Sequence, residues 1–170
     1  TIRKENPDLM VLCGDSIYAD TYDIEKLTKD WNTLATQPDF VALRSETRLL
    51  GTWDDHDYGD NDVGREYPLK VPSQKLFLDF IGEPEDSPRR NQEGVYTSYT
   101  MGPEGKRVQI ILLDTRYHRS SLTKSGLSRS EIPDWNGPYA PSADRQQQML
   151  GETQWKWLEE TLKEPADLRF

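Results

Sequence analysis

Three short apolar runs mark the chain, and each stops at an acid. Residues 9–13 are continuously apolar and end at Gly14-Asp15, residues 47–53 form a weaker run that stops at Asp54-Asp55, and residues 108–113 stop at Asp114. A run of this length bounded by turn residues predicts a strand, and the first has the look of one buried on both faces of a sheet. Between the first two, Ile24, Leu27, Trp31 and Leu34 recur at helical spacing, so a helix is expected over 23–36 with Pro38 after its end. A second helix is expected from a Ser73 cap through Phe77 and Phe80 to Gly82, and a third carries Trp155, Leu158 and Leu162 ahead of Pro165. Residues 94–101 alternate in the manner of a strand, and the turn Pro103-Glu104-Gly105 predicts an antiparallel hairpin with 108–113. Leu168-Arg169-Phe170 reads as the start of one more strand. Strands alternating with helices place the chain in the α/β class.

Residues 120–144 break this rhythm. They are rich in Ser, Pro and Gly, lack periodicity and exceed the usual connection length, which fits a lid or substrate wall. Five Trp, eight Tyr and four Phe in 170 residues are enough for one folded domain with its own core. The net charge of −9 opposes stable nucleic-acid binding, which needs clustered Lys and Arg. An anionic ligand would instead need cations to reverse the local sign. The one cysteine, Cys13, excludes an internal disulfide and a multi-cysteine zinc site, and its place inside an apolar run reads as core. No apolar run approaches membrane-spanning length.

Ligands of open α/β sheets bind beyond the carboxyl ends of the strands, so Asp15, Asp54 and Asp55 are expected to converge on one edge. Any one of them alone reads more simply as a turn residue. Residues 52–62, however, hold five Asp, one Asn and one His in eleven positions, and so many acids beside a hydrophobic run call for a counterion. An EF-hand is rejected, because a loop begun at Asp55 puts Gly59 where a ligand belongs and Asp60 where the glycine must be. His56, flanked by Asp55 and Asp57, reads as a functional rather than a core histidine. Arg116 either clamps substrate by paired hydrogen bonds or pairs with Asp114. His118 and Arg119 are substrate contacts or solvated residues at the mouth of the long loop, and Asn61 is a phosphate or calcium contact or a turn residue.

In combination these segments resemble the motifs of the alkaline phosphatase D (PhoD-like) family: Gly14-Asp15-Ser16-Ile17-Tyr18, then Thr52-Trp53-Asp54-Asp55-His56-Asp57 with Asn61, then Leu113-Asp114-Thr115-Arg116, with Gln154-Trp155-Lys156-Trp157-Leu158 after them. The resemblance implies a calcineurin-like metallophosphatase fold, two packed mixed sheets flanked by helices. It also implies hydrolysis of phosphate monoesters or diesters by metal-bound hydroxide, with calcium and iron as the expected ions. Asp15 would bridge two metals, Tyr18 would offer a phenolate to the iron-like ion, Asp55 would ligate the second metal, and Asn61 would position phosphate or ligate calcium. His56 would contact the phosphoryl oxygens or protonate the leaving alkoxide, and Arg116 would touch the substrate.

The family's domain also has an earlier strand with a metal ligand and a later motif with Asp and His, neither of which this sequence contains. The resemblance therefore implies a single domain over 1–170, incomplete at both ends, with a partial metal shell. A phosphorylated small molecule is the expected partner, and a secreted or periplasmic location is what the family implies. A noncatalytic calcium-binding module built on 54–62 is the alternative. It should be stabilised by calcium and indifferent to His56→Gln, whereas an enzyme should lose rate with that change.

Overall fold

The structure, a computed structural model, describes residues 2–131 and 137–170. Its first strand, β1 (Leu9–Cys13), runs parallel to β2 (Arg48–Thr52), with Leu9 opposite Arg48 and Cys13 opposite Thr52. The crossover between them holds α1 (Ile24–Ala35) and α2 (Pro38–Glu46). After β2 come the one-turn α3 (Asp55–Tyr58) and α4 (Lys70–Ile81). A second sheet follows in the order β3-β4-β5, in which β3 (Thr97–Met101) pairs antiparallel and β5 (Leu168–Arg169) parallel with β4 (Val108–Leu112). Between β4 and β5 lies α5 (Gly151–Thr161). Among the described residues no helix is long and apolar enough to cross a membrane.

The sheets meet through Leu50 of β2, which packs with Ile110 and Leu112 of β4 and with Leu9, Val11 and Tyr99 around them. Thr52 Oγ1 donates to Leu113 O at 2.7 Å, so β2 and β4 end side by side. A larger core joins Leu27 and Trp31 of α1 to Phe77 and Phe80 of α4, with Trp53 and Tyr58 beneath them. Burying side chains of this size stabilises by about 1.5–3 kcal/mol each. This helical layer grips the start of the segment that follows β2, the segment that carries the acids.

The predicted helix over 23–36 is present as α1, with Asp23 as its N-cap accepting from Glu25 N–H at 2.8 Å. The hairpin and the final strand are present as expected. Several expectations are corrected. Pro38 does not only end α1; it opens α2 at the first-turn position, where its missing N–H costs nothing. Ser73 is no cap but lies buried inside α4, its hydroxyl donating to Tyr58 O at 2.5 Å. Strand β1 is half-buried rather than covered on both faces, and Cys13 is exposed rather than core, because β2 is the one strand paired with β1 among the described residues. Helix α5 turns Trp155 outward, at 51% exposure, its C-cap Leu162 is 49% exposed, and the helix buries Gln154 instead.

Candidate metal centre

Parallel pairing of β1 with β2 brings the ends of both strands to one edge, and Gly14 lets them approach. Its φ is +98°, and a Cβ there would sit 2.6 Å from Asp54 N, so both the turn and the contact require glycine. Asp15 follows with φ +52°, a left-handed conformation that Asp tolerates. The two segments are then bracketed by one buried carboxylate. Asp57, fully buried, accepts Ser16 N–H through Oδ2 at 3.2 Å and Asp54 N–H through Oδ1 at 2.6 Å. Burial pushes its pKa up to about 7, and Asp15 adds to the rise, while the two N–H groups oppose it. Asp57→Asn removes one acceptor oxygen and leaves a backbone N–H without its partner, so unfolding in urea should show a loss of about 1–3 kcal/mol. An unchanged midpoint would remove Asp57 from this role.

Within this frame a ligand atom from each of Asp15, Asp55 and His56 lies within 4.8 Å of the others. Asp15 is exposed and Asp55 buried. Burial opposes the charge on Asp55, but Asp62 N–H, at 2.7 Å from Oδ2, and the Arg116 guanidinium hold its pKa below the usual carboxylate range. His56 is raised: burial lowers its pKa, but Nδ1 lies 2.5 Å from Asp20 Oδ1, and that bond, with Asp55 and Asp15 nearby, outweighs the burial. A carboxylate at Nδ1 accepts the proton there and leaves Nε2 as the second functional nitrogen. Tyr18 is 65% exposed, donates to Asp15 Oδ2 at 3.2 Å, and its ring lies 4.3 Å from that of His56. Its hydrogen bond to Asp15 raises the phenol's pKa.

Arg116 corrects an expectation. Its backbone N–H binds Asp114 Oδ1 at 2.8 Å, but its guanidinium goes elsewhere, 2.5 Å from Asp54 Oδ1 and 3.4 Å from Asp55 Oδ1. Asp114 is spent on the turn: it accepts Val95, Arg116 and Tyr117 N–H groups, and its own backbone is clamped by Gln154, which accepts from Asp114 N and donates to Asp114 O, both at 2.8 Å. Asn61 is exposed on the turn after α3, its Nδ2 donating to Asp62 Oδ2 at 2.8 Å. Arg119 is not solvated but 4% exposed, and donates to Asp62 O. His118 lies against Gly151, 3.8 Å from Glu93. Of the 120–144 loop, residues 132–136 lie outside the described residues; Tyr139 beyond them donates to Asp62 Oδ2 at 2.6 Å.

Asp15, Tyr18, Asp55, His56 and Arg116 are thus brought together, with Asn61 one hydrogen-bonded residue away through Asp62. Asp20 and Asp57 were given no role of their own from the sequence. Asp20 carried one weak signal, its place in the same loop as Asp15. The donor set fits a cation, since the two carboxylates and the nearby phenol are hard oxygen donors, the imidazole is a borderline one and, among the described residues, no Lys or Arg pairs with Asp15.

Fold and site together define an α/β protein with an acidic, histidine-containing centre at the carboxyl edge of a parallel strand pair. The family model for PhoD-like phosphatase matches residues 21–168, and the chain belongs to that family. The matched span includes Asp55, His56, Asn61 and Arg116 and begins after Asp15 and Tyr18. A solved structure described as "Structure of PhoD" shares the fold with a TM-score of 0.63 at 16% identity. The superposition covers 89% of this chain and 33% of that one, so the chain spans about a third of its length. No curated protein matches the chain.

Proposed function

We propose that this chain supplies part of the centre of a metal-dependent phosphoesterase with calcineurin-like architecture, acting on monoesters or diesters of phosphorylated small molecules. The observation that carries the reading is the approach of Asp15, Asp55 and His56 to within 4.8 Å of one another. Asp15 and Asp55 would hold the cations, with the Tyr18 phenol and the Asn61 amide oxygen as further ligands. Calcium suits the carboxylates, and a ferric ion suits the phenolate. When bound, such ions lower the pKa of water and offset phosphate charge.

The chain's own residues account for the rest. Asp20 fixes the ring of His56 through Nδ1, and His56 Nε2 delivers a proton to the departing alkoxide oxygen, a task suited to an imidazole near neutrality. Arg116 pairs with Asp54 and Asp55 and would also offer its guanidinium to a phosphoryl oxygen. Asp57 holds the two backbone segments in register.

The test is hydrolysis of p-nitrophenyl phosphate and bis-p-nitrophenyl phosphate by the intact protein. Chelator should abolish the activity and added cation restore it, and Asp20→Asn should lower kcat by about 10–10²-fold with little change in KM. Hydrolysis that survives both treatments would exclude the reading. Cation binding without hydrolysis would leave the calcium module in its place.

A further inference from the structure

Beside the acidic centre lies an open cleft of 440 Å³ walled by Asp54, Thr115, Arg116, Arg119, Leu122 and Met149. Its size falls in the range of small-molecule sites, about 300–1,000 Å³. Arg119 is the unusual wall residue. It is 4% exposed, yet its terminal nitrogens donate only to the carbonyls of Asp62 and Ser120, and Nε has no acceptor among the described residues. No carboxylate of the described residues pairs with it. The acids nearest to it have other partners: Glu66 accepts Gly64 N–H and the Ser121 hydroxyl, Asp62 accepts the Asn61 amide and the Tyr139 hydroxyl, and Asp55 accepts Asp62 N–H and faces Arg116. Arg116, by contrast, is matched by Asp54 and Asp55. A buried guanidinium without an ion-pair partner is costly unless an anion completes it.

Two further wall residues are apolar and open, Leu122 at 40% and Met149 at 49% exposure. The cleft also adjoins the centre directly, because Asp54 in its wall shares Arg116 with Asp55. We propose that this cleft is an anion subsite: it takes a second negatively charged group, a carboxylate or a further phosphate, of an organic phosphate whose carbon skeleton rests on Leu122 and Met149. The proposal rests on the phosphoesterase reading only in placing the first phosphate at the acidic centre. It narrows the substrate class to phosphate esters whose alcohol side carries an anionic group.

Binding is measured by titration calorimetry on the intact, cation-loaded protein with phenylphosphonate and 4-carboxyphenylphosphonate, which resist hydrolysis at the P–C bond. The carboxylate form should bind about tenfold tighter or better. That ratio should collapse toward one in Arg119→Gln, and also in Leu122→Asp, which places a repelling carboxylate at an exposed rim position that does not threaten folding. Because the readout is a ratio within each variant, a general loss of affinity does not imitate it. Equal affinity for the two phosphonates in the unaltered protein, or a preference that persists in both variants, overturns the subsite. Should phenylphosphonate itself fail to bind, the phosphoesterase reading fails separately, and 4-methylbenzoate then probes the cleft alone. Saturable binding that Leu122→Asp removes sustains the subsite, and no binding overturns it.

Discussion

Asp15→Asn is expected to reduce hydrolysis by the intact protein by about 10³-fold or more, because it removes one carboxylate charge from the proposed cation centre. The fold should survive the change. Asp15 is exposed, its positive φ suits Asn as well as Asp, and its side-chain partner is the Tyr18 hydroxyl, which can bond to an amide oxygen. Stability without cation should therefore stay within about 0.5 kcal/mol of the unaltered protein, or rise slightly as repulsion from Asp55 is relieved. The two proteins should differ once cation is added. The unaltered chain gains melting temperature by mass action and the variant gains much less. Rates and calcium- or manganese-dependent melting curves measured on both check the prediction, and a variant that keeps its rate would remove Asp15 from the centre.

The largest expected effect on stability is that of Gly14→Ala. A methyl at residue 14 would meet backbone, 2.6 Å from Asp54 N, at a φ of +98° that L side chains rarely adopt. Backbone strain and overpacking together should cost roughly 3 kcal/mol or more, and the site should be lost with the fold. Gly105→Ala is the internal control. It also has positive φ, +79°, but nothing lies within 4 Å of its added Cβ, so only the strain remains, about 1 kcal/mol. Urea unfolding of both variants measures the difference. Equal losses would mean that β1 and β2 do not meet as closely as described.

What was legible in the sequence follows the range of the forces involved. Helix α1 was readable because its cap Asp23, its apolar stripe and its end are local signals. The edge that gathers Asp15 and Asp55 was readable because apolar runs that end in acids imply strand ends, and parallel strands share an edge. Helix α2 was missed because its N-terminal Pro38 marks a helix start as well as a stop, and because it lacks an apolar stripe. Orientation was the other loss. Apolar spacing in α5 points to Trp155 and Leu162 as its inner face, but the helix instead presents Gln154 to the backbone of Asp114, a polar clamp that no periodicity reveals.

Partner choice was the least legible, since it depends on distances across the fold. Arg116 reaches Asp54 and Asp55 rather than Asp114 because the Asp114 oxygens are already taken by three backbone N–H groups. Asp20 and Asp57 carry no motif that separates them from the acids around them. Their work, orienting His56 and bracketing Ser16 against Asp54, exists only once the loops after β1 and β2 lie together. Cys13 shows the same limit from the other side: an apolar run predicted burial, but a strand with one paired neighbour among the described residues leaves its end open.

The reading stands or falls on one cation site shared by carboxylates from two chain segments. Diffraction from crystals of the intact protein soaked in manganese, recorded at the metal's absorption edge, locates that site. An anomalous peak within about 2.0–2.6 Å of oxygens from both Asp15 and Asp55 is the predicted result. Manganese bound at other residues, with those two carboxylates turned apart, would contradict it.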